Sequence, residues 1–401
     1  RDVLGSRGLG DVYKRQGKVI VALNINITSK DVLDYYIDLV LDGIDYEKAE
    51  IIFHSKNTES LNEGTNIVLI YLKDKNPHAV TNAVAKLSSS PYIVYAEPDY
   101  IEEMHIISND PLYNQLWGIQ KINAPLAWDY TTGDSSISVG VIDTGIDQNH
   151  PDIRENMWTT WNGRLIYGWN FADNSSDSMD LDGHGSHVAG TIGAVGNNRI
   201  GITGVCWQVR VAALKFGLDV ASAIAAIDFA NYYKISILNA SWGGRAYSQA
   251  LKDAIDQYDG LFVASAGNDG TNNDVDPMYP ASYDCKNIIS VAAVDPYDTL
   301  ARFSNYGLKT VDIAAPGTNI LSLDLAGEYS PLNGTSMAAP HVAGAAALLK
   351  SSMPNISTIT LKRIILSSAM ENPELKGKIL TGGILDMETM FKLANCWHGR
   401  E

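Results

Sequence analysis

Val139-Gly140-Val141-Ile142-Asp143-Thr144-Gly145 is an apolar run that ends on an aspartate and a turn. Short, wholly apolar runs are typical of strands buried on both faces of a parallel sheet, and open α/β sheets bind ligands at the carboxyl ends of such strands. Similar runs alternate with helical patterns from Pro111 onwards, which predicts a three-layer α/β fold with a mostly parallel central sheet. The predicted strands are 138–142, 210–214, 237–239, 261–264, 288–292 and 311–314, and the predicted helices are 184–194, 220–232, 248–257 and 335–351.

The part of the chain before this pattern is organised differently. Strand-like and helix-like segments between residues 18 and 104 follow the order β-α-β-β-α-β, which predicts a small ferredoxin-like α+β unit. Residues 1–17 match neither pattern and are predicted to be a non-native segment, so the true amino terminus is left open. We therefore expect two domains, residues 18–106 and residues 107–401.

Composition excludes several classes of function. The 401 residues carry a net charge of −16, which disfavours nucleic acid and anionic membranes as partners because both require a basic surface. No apolar run is long enough to span a bilayer. Three scattered cysteines are too few for a disulfide framework or a zinc site with paired ligands. The composition indicates a soluble globular protein, and the acidic balance suits one that holds divalent cations.

Two further motifs supply a histidine and a serine. They are Asp182-Gly183-His184-Gly185-Ser186-His187 and Asn333-Gly334-Thr335-Ser336-Met337-Ala338. A serine becomes nucleophilic when an imidazole takes its proton, and that imidazole needs a carboxylate to fix its tautomer. Asp143, His184 and Ser336 are candidates for these roles. Their order along the chain differs from that of chymotrypsin-type enzymes and of α/β-hydrolases.

On these three motifs the chain resembles the subtilisin family of serine endopeptidases, in particular its thermitase-like branch, over roughly residues 106–394. The resemblance implies a triad of Asp143, His184 and Ser336, and it implies that Asn268 and the Ser336 backbone amide stabilise the oxyanion. It also implies that the segment 239–244 pairs with the substrate as an added strand. The implied substrate-binding residues are Ser241, Trp242, Gly243, Asp269 and Met278, with Met278 on the floor of the first specificity pocket and Asp269 at its rim.

The resemblance further implies a structural calcium ion. The implied ligands are oxygens, as Ca²⁺ prefers, and come from three separate segments. They are the side chains of Asp110, Asp152 and Asn198 and the loop carbonyls of Val195, Ile200 and Ile202. A second, weaker site is considered around Asp173, Asp177, Asp180 and Asp182, for which a solvated acidic loop is the alternative.

The expected function is that of a self-processing serine endopeptidase of broad specificity. Residues 18–106 would act as a propeptide that inhibits the enzyme intramolecularly, and an independent small domain is the alternative. Protein or peptide substrates, a monomeric state and an extracellular location are expected. Two rival interpretations remain open at this stage, a catalytically silent binding scaffold and a cytoplasmic subtilase.

Overall fold

Residues 1–104 and residues 105–401 form two separate units of the chain. The computed structural model describes residues 14–24, 30–54, 65–100, 106–160 and 167–398. Most of the predicted non-native segment lies outside these residues, but its residues 14–17 begin strand β1. The junction predicted near residue 106 adjoins residues 101–105, which also lie outside the described part.

The smaller unit is a four-stranded antiparallel sheet with two helices. Its strand order is β2-β3-β1-β4. Alternate residues of the central strands, such as Val19, Val21 and Val68, are fully buried and form its core with the helices. The elements are β1 (Lys14–Asn24), α1 (Lys30–Val40), β2 (Tyr46–His54), β3 (Thr65–Leu72), α2 (Pro77–Leu87) and β4 (Ile93–Tyr100).

The larger unit contains a nine-stranded sheet in the order β14-β15-β11-β10-β9-β8-β5-β7-β6. Every neighbouring pair is parallel except β14 with β15. The predicted α/β class with a mostly parallel sheet is thus confirmed. The strands are β5 (Gly133–Asp143), β6 (Gly168–Asn170), β7 (Gln208–Lys215), β8 (Ile237–Ala240), β9 (Leu261–Ser265), β10 (Ile288–Val294), β11 (Ile313–Pro316), β14 (Met370–Glu371) and β15 (Gly383–Ile384), with a separate hairpin of β12 (Ile320–Leu323) and β13 (Tyr329–Leu332).

Helices cover the sheet on both faces, and their local sequences explain where several of them begin. Asp219, Ser248 and Ser357 each cap a helix by accepting a backbone N–H from the first turn. The α-helices of this unit are α3 (Trp117–Lys121), α4 (Ala124–Trp128), α5 (His184–Gly193), α6 (Val220–Tyr232), α7 (Gln249–Asp256), α8 (Thr335–Ser352), α9 (Thr358–Ser367) and α10 (Met387–His398). No helix within the described ranges is both long and apolar enough to cross a bilayer.

Two features bring the candidate site together. The strand order reverses at β5, whose neighbours are β7 on one side and β8 on the other, and such a reversal opens a crevice at the carboxyl ends of the strands. Helix α8 is buried from Thr335 to Leu349. Its small residues allow close approach: a Cβ added at Gly344 would lie 2.7 Å from Cβ of Val205. The start of α8 is thereby held against this edge of the sheet.

Candidate active site

Asp143 and His184 are hydrogen-bonded at the carboxyl end of β5. Asp143 is the last residue of the strand and is 2% exposed. His184 is the first residue of α5, and its Nδ1 lies 2.7 Å from Oδ1 of Asp143. Because a carboxylate only accepts, this bond assigns the proton to Nδ1 and leaves Nε2 as the basic nitrogen. Nε2 has no hydrogen-bond partner within the described part of the chain.

Glycines allow the two segments to meet. Gly183, directly before the helix, has a φ of 105°, which lets the chain turn sharply into α5. A Cβ at Gly185 would lie 2.1 Å from the carbonyl oxygen of Gly145. The start of the helix therefore rests directly on the turn that follows Asp143, and only glycine fits there.

The charge around His184 favours its protonated form. Burial alone would lower the pKa of the imidazole, but the hydrogen bond and charge of Asp143, together with the charges of Asp182 and Asp180, outweigh burial. The pKa of His184 is consequently raised above its ordinary value of 6.5. An imidazole in this environment is a stronger base than an ordinary histidine and holds an abstracted proton more readily.

Asp180 ties the Asp143 and His184 segments together. Its Oδ1 accepts from Oγ1 of Thr144 at 2.9 Å, and its Oδ2 accepts from the backbone N–H and the hydroxyl of Ser186 at 2.9 and 2.8 Å. Oγ1 of Thr144 in turn accepts from the N–H of Gly185 at 3.0 Å. The residues that follow Asp143 and His184 are therefore linked through one buried carboxylate.

Ser336 is the second residue of α8 and is bonded reciprocally to Ser241. Its Oγ donates to the Ser241 carbonyl at 3.0 Å, and the Ser241 hydroxyl donates to the Ser336 carbonyl at 2.8 Å. The Ser336 carbonyl would ordinarily accept from the N–H four residues later, but that residue is Pro340, which has no N–H. No hydrogen bond between Ser336 and His184 is present among the described side chains.

Two N–H groups lie close together at the start of α8, since the Ser336 backbone nitrogen and Nδ2 of Asn268 are 3.5 and 3.6 Å from a Cβ position at Gly334. The side-chain oxygen of Asn268 accepts from the N–H and the hydroxyl of Thr335 at 2.8 and 2.9 Å, which fixes the orientation of the amide. Its Nδ2 group has no acceptor in the described ranges, and a Cβ added at Gly334 would lie 3.6 Å from it. The backbone N–H of Ser336, in the first turn of α8, also lacks an acceptor there. The start of this helix is therefore suited to stabilising an anion.

The predicted substrate-binding residues lie at two adjacent segments. Gly243 and Met278 are in contact, since a Cβ at Gly243 would lie 3.2 Å from Cγ of Met278. Met278 is also the same distance from a Cβ position at Gly267, next to Asn268. Trp242 is half-buried; its indole N–H donates to the Ile142 carbonyl at 2.8 Å, and its ring packs on Phe216. Met278 thus fills space between the segment 241–244 and the Asn268 loop, whereas Trp242 braces β5.

Asp269 is part of an ion cluster that the sequence analysis did not foresee. The Arg245 guanidinium lies 2.7 Å from the Asp269 carboxylate and also contacts Asp276. All three side chains are substantially exposed, so solvent weakens these pairs. One positive and two negative charges leave a net charge of −1 on this cluster.

The six predicted calcium ligands lie in one network. Asp110 accepts from the backbone N–H groups of residues 197–199, and Asp152 accepts from the Asn198 amide at 2.9 Å and the Ile202 N–H at 2.8 Å. The Val195 N–H donates to the Asp152 carbonyl, and the Ile200 N–H donates to the Asn198 side-chain oxygen.

The donor set of this network fits a hard cation. Asp110 and Asp152 are 4% and 0% exposed and form no ion pair with a described cationic side chain. Burial, together with the nearby charge of Asp110, raises the pKa of Asp152 to about 6. The carbonyl oxygens of Val195, Ile200 and Ile202 accept no hydrogen bond within the described part of the chain. Two buried carboxylates and three free carbonyls are an oxygen set of the kind that Ca²⁺ prefers.

The second acidic group differs from this network in its hydrogen bonds. No group of three or more His, Cys, Asp or Glu residues suited to a metal occurs among the described residues. Asp173, Asp177 and Asp182 accept from residues two or three positions away, whereas Asp180 also accepts from Thr144, 36 residues away. The sequence analysis considered Asp180 as a ligand of a second, weaker calcium site, with a solvated acidic loop as the alternative, and missed its link between Thr144 and Ser186. Asp180 lies four residues before the first residue of α5 and outside the cap position, which is Gly183, so no local pattern marked it.

Comparisons with known proteins agree with one another. The sequence model described as Subtilase family matches residues 134–384. The thermophilic serine proteinase of Bacillus sp. (strain AK1) is 40% identical over 289 residues, which cover 70% of this chain and 68% of that protein. Thermitase of Thermoactinomyces vulgaris is 38% identical over 260 residues, covering 63% and 88%. A solved protease structure from Pseudoalteromonas arctica has a TM-score of 0.62 and 29% identity, covering 72% of this chain and 99% of that one.

Proposed function

This chain belongs to the subtilase family of serine endopeptidases, and on that basis we propose that it hydrolyses peptide bonds with a triad of Asp143, His184 and Ser336. The observation that carries the proposal is the 2.7 Å bond between Asp143 and Nδ1 of His184, in a chain whose Ser336 lies in the first turn of α8. The resemblance to the thermitase-like branch that the motifs indicated is confirmed.

In the proposed mechanism the Ser336 hydroxyl leaves the Ser241 carbonyl and donates to Nε2 of His184. As Oγ attacks the scissile carbonyl carbon, Nε2 takes the proton and Asp143 stabilises the imidazolium. The negative charge that develops on the substrate oxygen is stabilised by Nδ2 of Asn268 and by the Ser336 N–H. His184 then protonates the leaving amine, and water, activated by the same imidazole, releases the acyl group.

The proposed specificity follows from Met278 and the ion cluster at the rim. Met278 would shorten the pocket for the side chain before the scissile bond and favour medium apolar residues. The net charge of −1 on Arg245, Asp269 and Asp276 disfavours acidic residues, but the pairing with Arg245 weakens the attraction that Asp269 alone would exert on lysine or arginine. Substrates would pair with the segment 241–244 mainly through the main chain, which gives broad specificity.

We propose that the enzyme is made as a zymogen, with residues 18–106 as its propeptide and intramolecular inhibitor and residues 107–401 as the catalytic domain. The strand order β2-β3-β1-β4, with helices after β1 and β3, supports a ferredoxin-like topology for the propeptide. We further propose a monomeric, extracellular enzyme that cleaves its own chain at this junction.

A calcium ion is proposed at the network of Asp110 and Asp152. Asp110, Asp152 and Asn198 would hold it with side-chain oxygens, and Val195, Ile200 and Ile202 with their carbonyls. The ion would neutralise the two buried carboxylates and would link the start of the catalytic domain to the loop after α5. Its contribution would be to stability, since none of these residues is part of the proposed triad.

A fluorophosphonate probe tests the proposal directly, because it reacts with a serine only when that serine is activated by a base. We expect labelling at Ser336 in the unmodified chain and none in Ser336→Ala, which should also retain residues 18–106. Asn287→Ala, a change at the opposite end of β9 from Asn268, serves as the folded control that still labels. Absence of labelling in the matured, unmodified enzyme would favour a catalytically silent scaffold.

A further inference from the structure

Two buried asparagines hold the loop that carries Asn268 by hydrogen bonds. It follows β9 and runs from Ala266 to Thr271, and Asn268 at its tip is exposed. Asn305 and Asn273 lie beneath the loop, and both are 0% exposed. Neither residue was singled out by the sequence analysis, and neither belongs to the proposed triad or oxyanion pair.

Asn305 binds the loop on both sides of Asn268. Its side-chain oxygen accepts from the N–H groups of Asp269 at 2.9 Å and Thr271 at 3.1 Å. Its own backbone N–H donates to the Gly267 carbonyl at 2.9 Å. One residue therefore fixes the main chain immediately before and immediately after Asn268.

Asn273 connects Asn305 to the start of the loop. The Asn305 amide donates to the Asn273 side-chain oxygen at 2.9 Å, and the Asn273 amide donates to the Ala266 carbonyl at 2.8 Å. The loop also lies in direct contact with this pair, because a Cβ at Gly267 would be 2.5 Å from Nδ2 of Asn305. Gly267 has a φ of 110°, so the glycine is required both by the turn and by the buried amide beneath it.

We propose that Asn305, supported by Asn273, is a positioning residue that sets the direction of the Asn268 amide toward the developing oxyanion. This inference rests on the proposed role of Asn268. A donor stabilises the transition state only if it points at the oxyanion before the reaction, and small displacements of such groups lower the rate strongly. Thr335 fixes the amide of Asn268 from one side, and Asn305 fixes the main chain that carries it.

An amide suits this position because it both donates and accepts. The oxygen of Asn305 faces two N–H groups of the loop, while its NH₂ group faces an oxygen of Asn273. A carboxylate would satisfy the loop but would oppose the Asn273 oxygen, and a leucine would leave buried N–H groups unpaired. Asn305→Asp therefore removes only the link to Asn273, whereas Asn305→Ala also removes the side-chain bonds to Asp269 and Thr271 and keeps only the backbone bond to Gly267.

The test is a double-mutant cycle of kcat between Asn305 and Asn268, measured on the mature enzyme with a short peptide substrate. N268A alone should lower kcat by roughly 10²–10³. N305A alone should lower kcat by about tenfold or more with little change in KM. In the N268A background, N305A should change kcat by less than about twofold, because the donor it positions is already absent.

Two controls separate positioning from general loss of structure. Asn287→Ala removes an amide that is 7% exposed and donates to three carbonyls, but at the far end of β9, so it should lower thermal stability without lowering kcat. N305D takes the place of N305A in the cycle if the alanine variant does not fold, and its kcat loss should be smaller.

The outcomes distinguish this inference from the proposed function. If N268A does not lower kcat, the proposed oxyanion role fails. If N268A lowers kcat but N305A leaves kcat unchanged, raises only KM, or lowers kcat equally with and without Asn268, the positioning role of Asn305 is overturned.

Discussion

Asp180→Asn is expected to weaken both the fold around the triad and the basicity of His184. The Asp180 carboxylate is 2% exposed and accepts from Thr144 and Asp182 at one oxygen and from Ser186 twice at the other. An asparagine keeps one of these oxygens. Its NH₂ group then stands where the other oxygen was and faces the backbone N–H of Ser186, which is also a donor.

The magnitude follows from one lost charge-assisted bond and one buried N–H left without an acceptor. A hydrogen bond to a charged group contributes about 1.5–3 kcal/mol, and an unsatisfied buried donor costs a similar amount. The Ser186 hydroxyl can rotate and accept from the new NH₂ group, which offsets part of the loss. We therefore expect the free energy of unfolding to fall by about 2–3 kcal/mol, measured by denaturant titration in the Ser336→Ala background to prevent autolysis.

The effect on pH dependence has a definite sign. The charge of Asp180 contributes to raising the pKa of His184. Removing that charge lowers this pKa, and because the reaction requires neutral His184, the acid limb of kcat/KM should move to lower pH. Asp177→Asn is the matched control, since Asp177 is an exposed residue of the same loop that accepts only from Met179 at 3.2 Å.

Two results would refute this reasoning. The first is an acid limb that moves to higher pH in Asp180→Asn, because no loss of negative charge near an imidazole raises its pKa. The second is a free energy of unfolding that changes no more in Asp180→Asn than in Asp177→Asn. The second result would mean that the four hydrogen bonds of Asp180 do not hold the start of α5.

Ser336→Ala should abolish hydrolysis and leave residues 18–106 attached, as seen by mass spectrometry; a variant that still matures itself would contradict the triad. Asn198→Ala should shorten the half-life of the enzyme at elevated temperature as chelation does. The stabilisation lost is about 4 kcal/mol when calcium is in thousandfold excess over its Kd. Equal half-lives of the unmodified enzyme in calcium and in chelator would contradict the proposed calcium site. Met278→Gly should raise kcat/KM for phenylalanine relative to alanine before the scissile bond by about tenfold or more, and an unchanged ratio would place Met278 outside the pocket. Burial lowers the pKa of His187 and His341 from 6.5 to about 4. As the pH falls from 6.5 to about 4, the unfolded chain therefore binds protons that the folded chain does not, and the free energy of unfolding should fall by about 3 kcal/mol per imidazole. A free energy of unfolding that stays constant over this pH range in the inactive variant would contradict this.

The sequence predicted the elements whose signal is local. The apolar run 138–142 and the helical pattern 220–232 mark their strand and helix without reference to the rest of the chain, and the structure has them as β5 and α6. The two-residue strands β14 and β15 were missed because their pairing depends on the position of β11 and not on any periodicity. Helices α9 and α10 were also missed, although α9 carries local signals in its Ser357 cap and in Leu361, Ile364 and Ile365, which recur at helical spacing.

Within the candidate site, sequence predicted residue types better than contacts. Asp143 and His184 follow recognisable local patterns, and the structure brings them together. Asn305 reads as an ordinary turn residue because its partners at positions 269, 271 and 273 lie more than thirty residues away in the chain. The pairing of Asp269 with Arg245 depends likewise on two loops that only the fold makes adjacent.

The bond between the Ser336 hydroxyl and the Ser241 carbonyl affects how often the hydroxyl can turn toward His184 during one turnover. Side-chain rotations take picoseconds to nanoseconds, whereas an enzyme with a typical turnover of about 10 per second spends about 0.1 s on each cycle. The hydroxyl can therefore visit His184 many millions of times before a single peptide bond is cleaved. A resting bond of about 1 kcal/mol lowers the fraction of time spent facing His184 to roughly one part in six. In the proposed mechanism the Ser241 carbonyl would thus set the fraction of time for which Ser336 is ready to react, and it would add no slow step to the cycle.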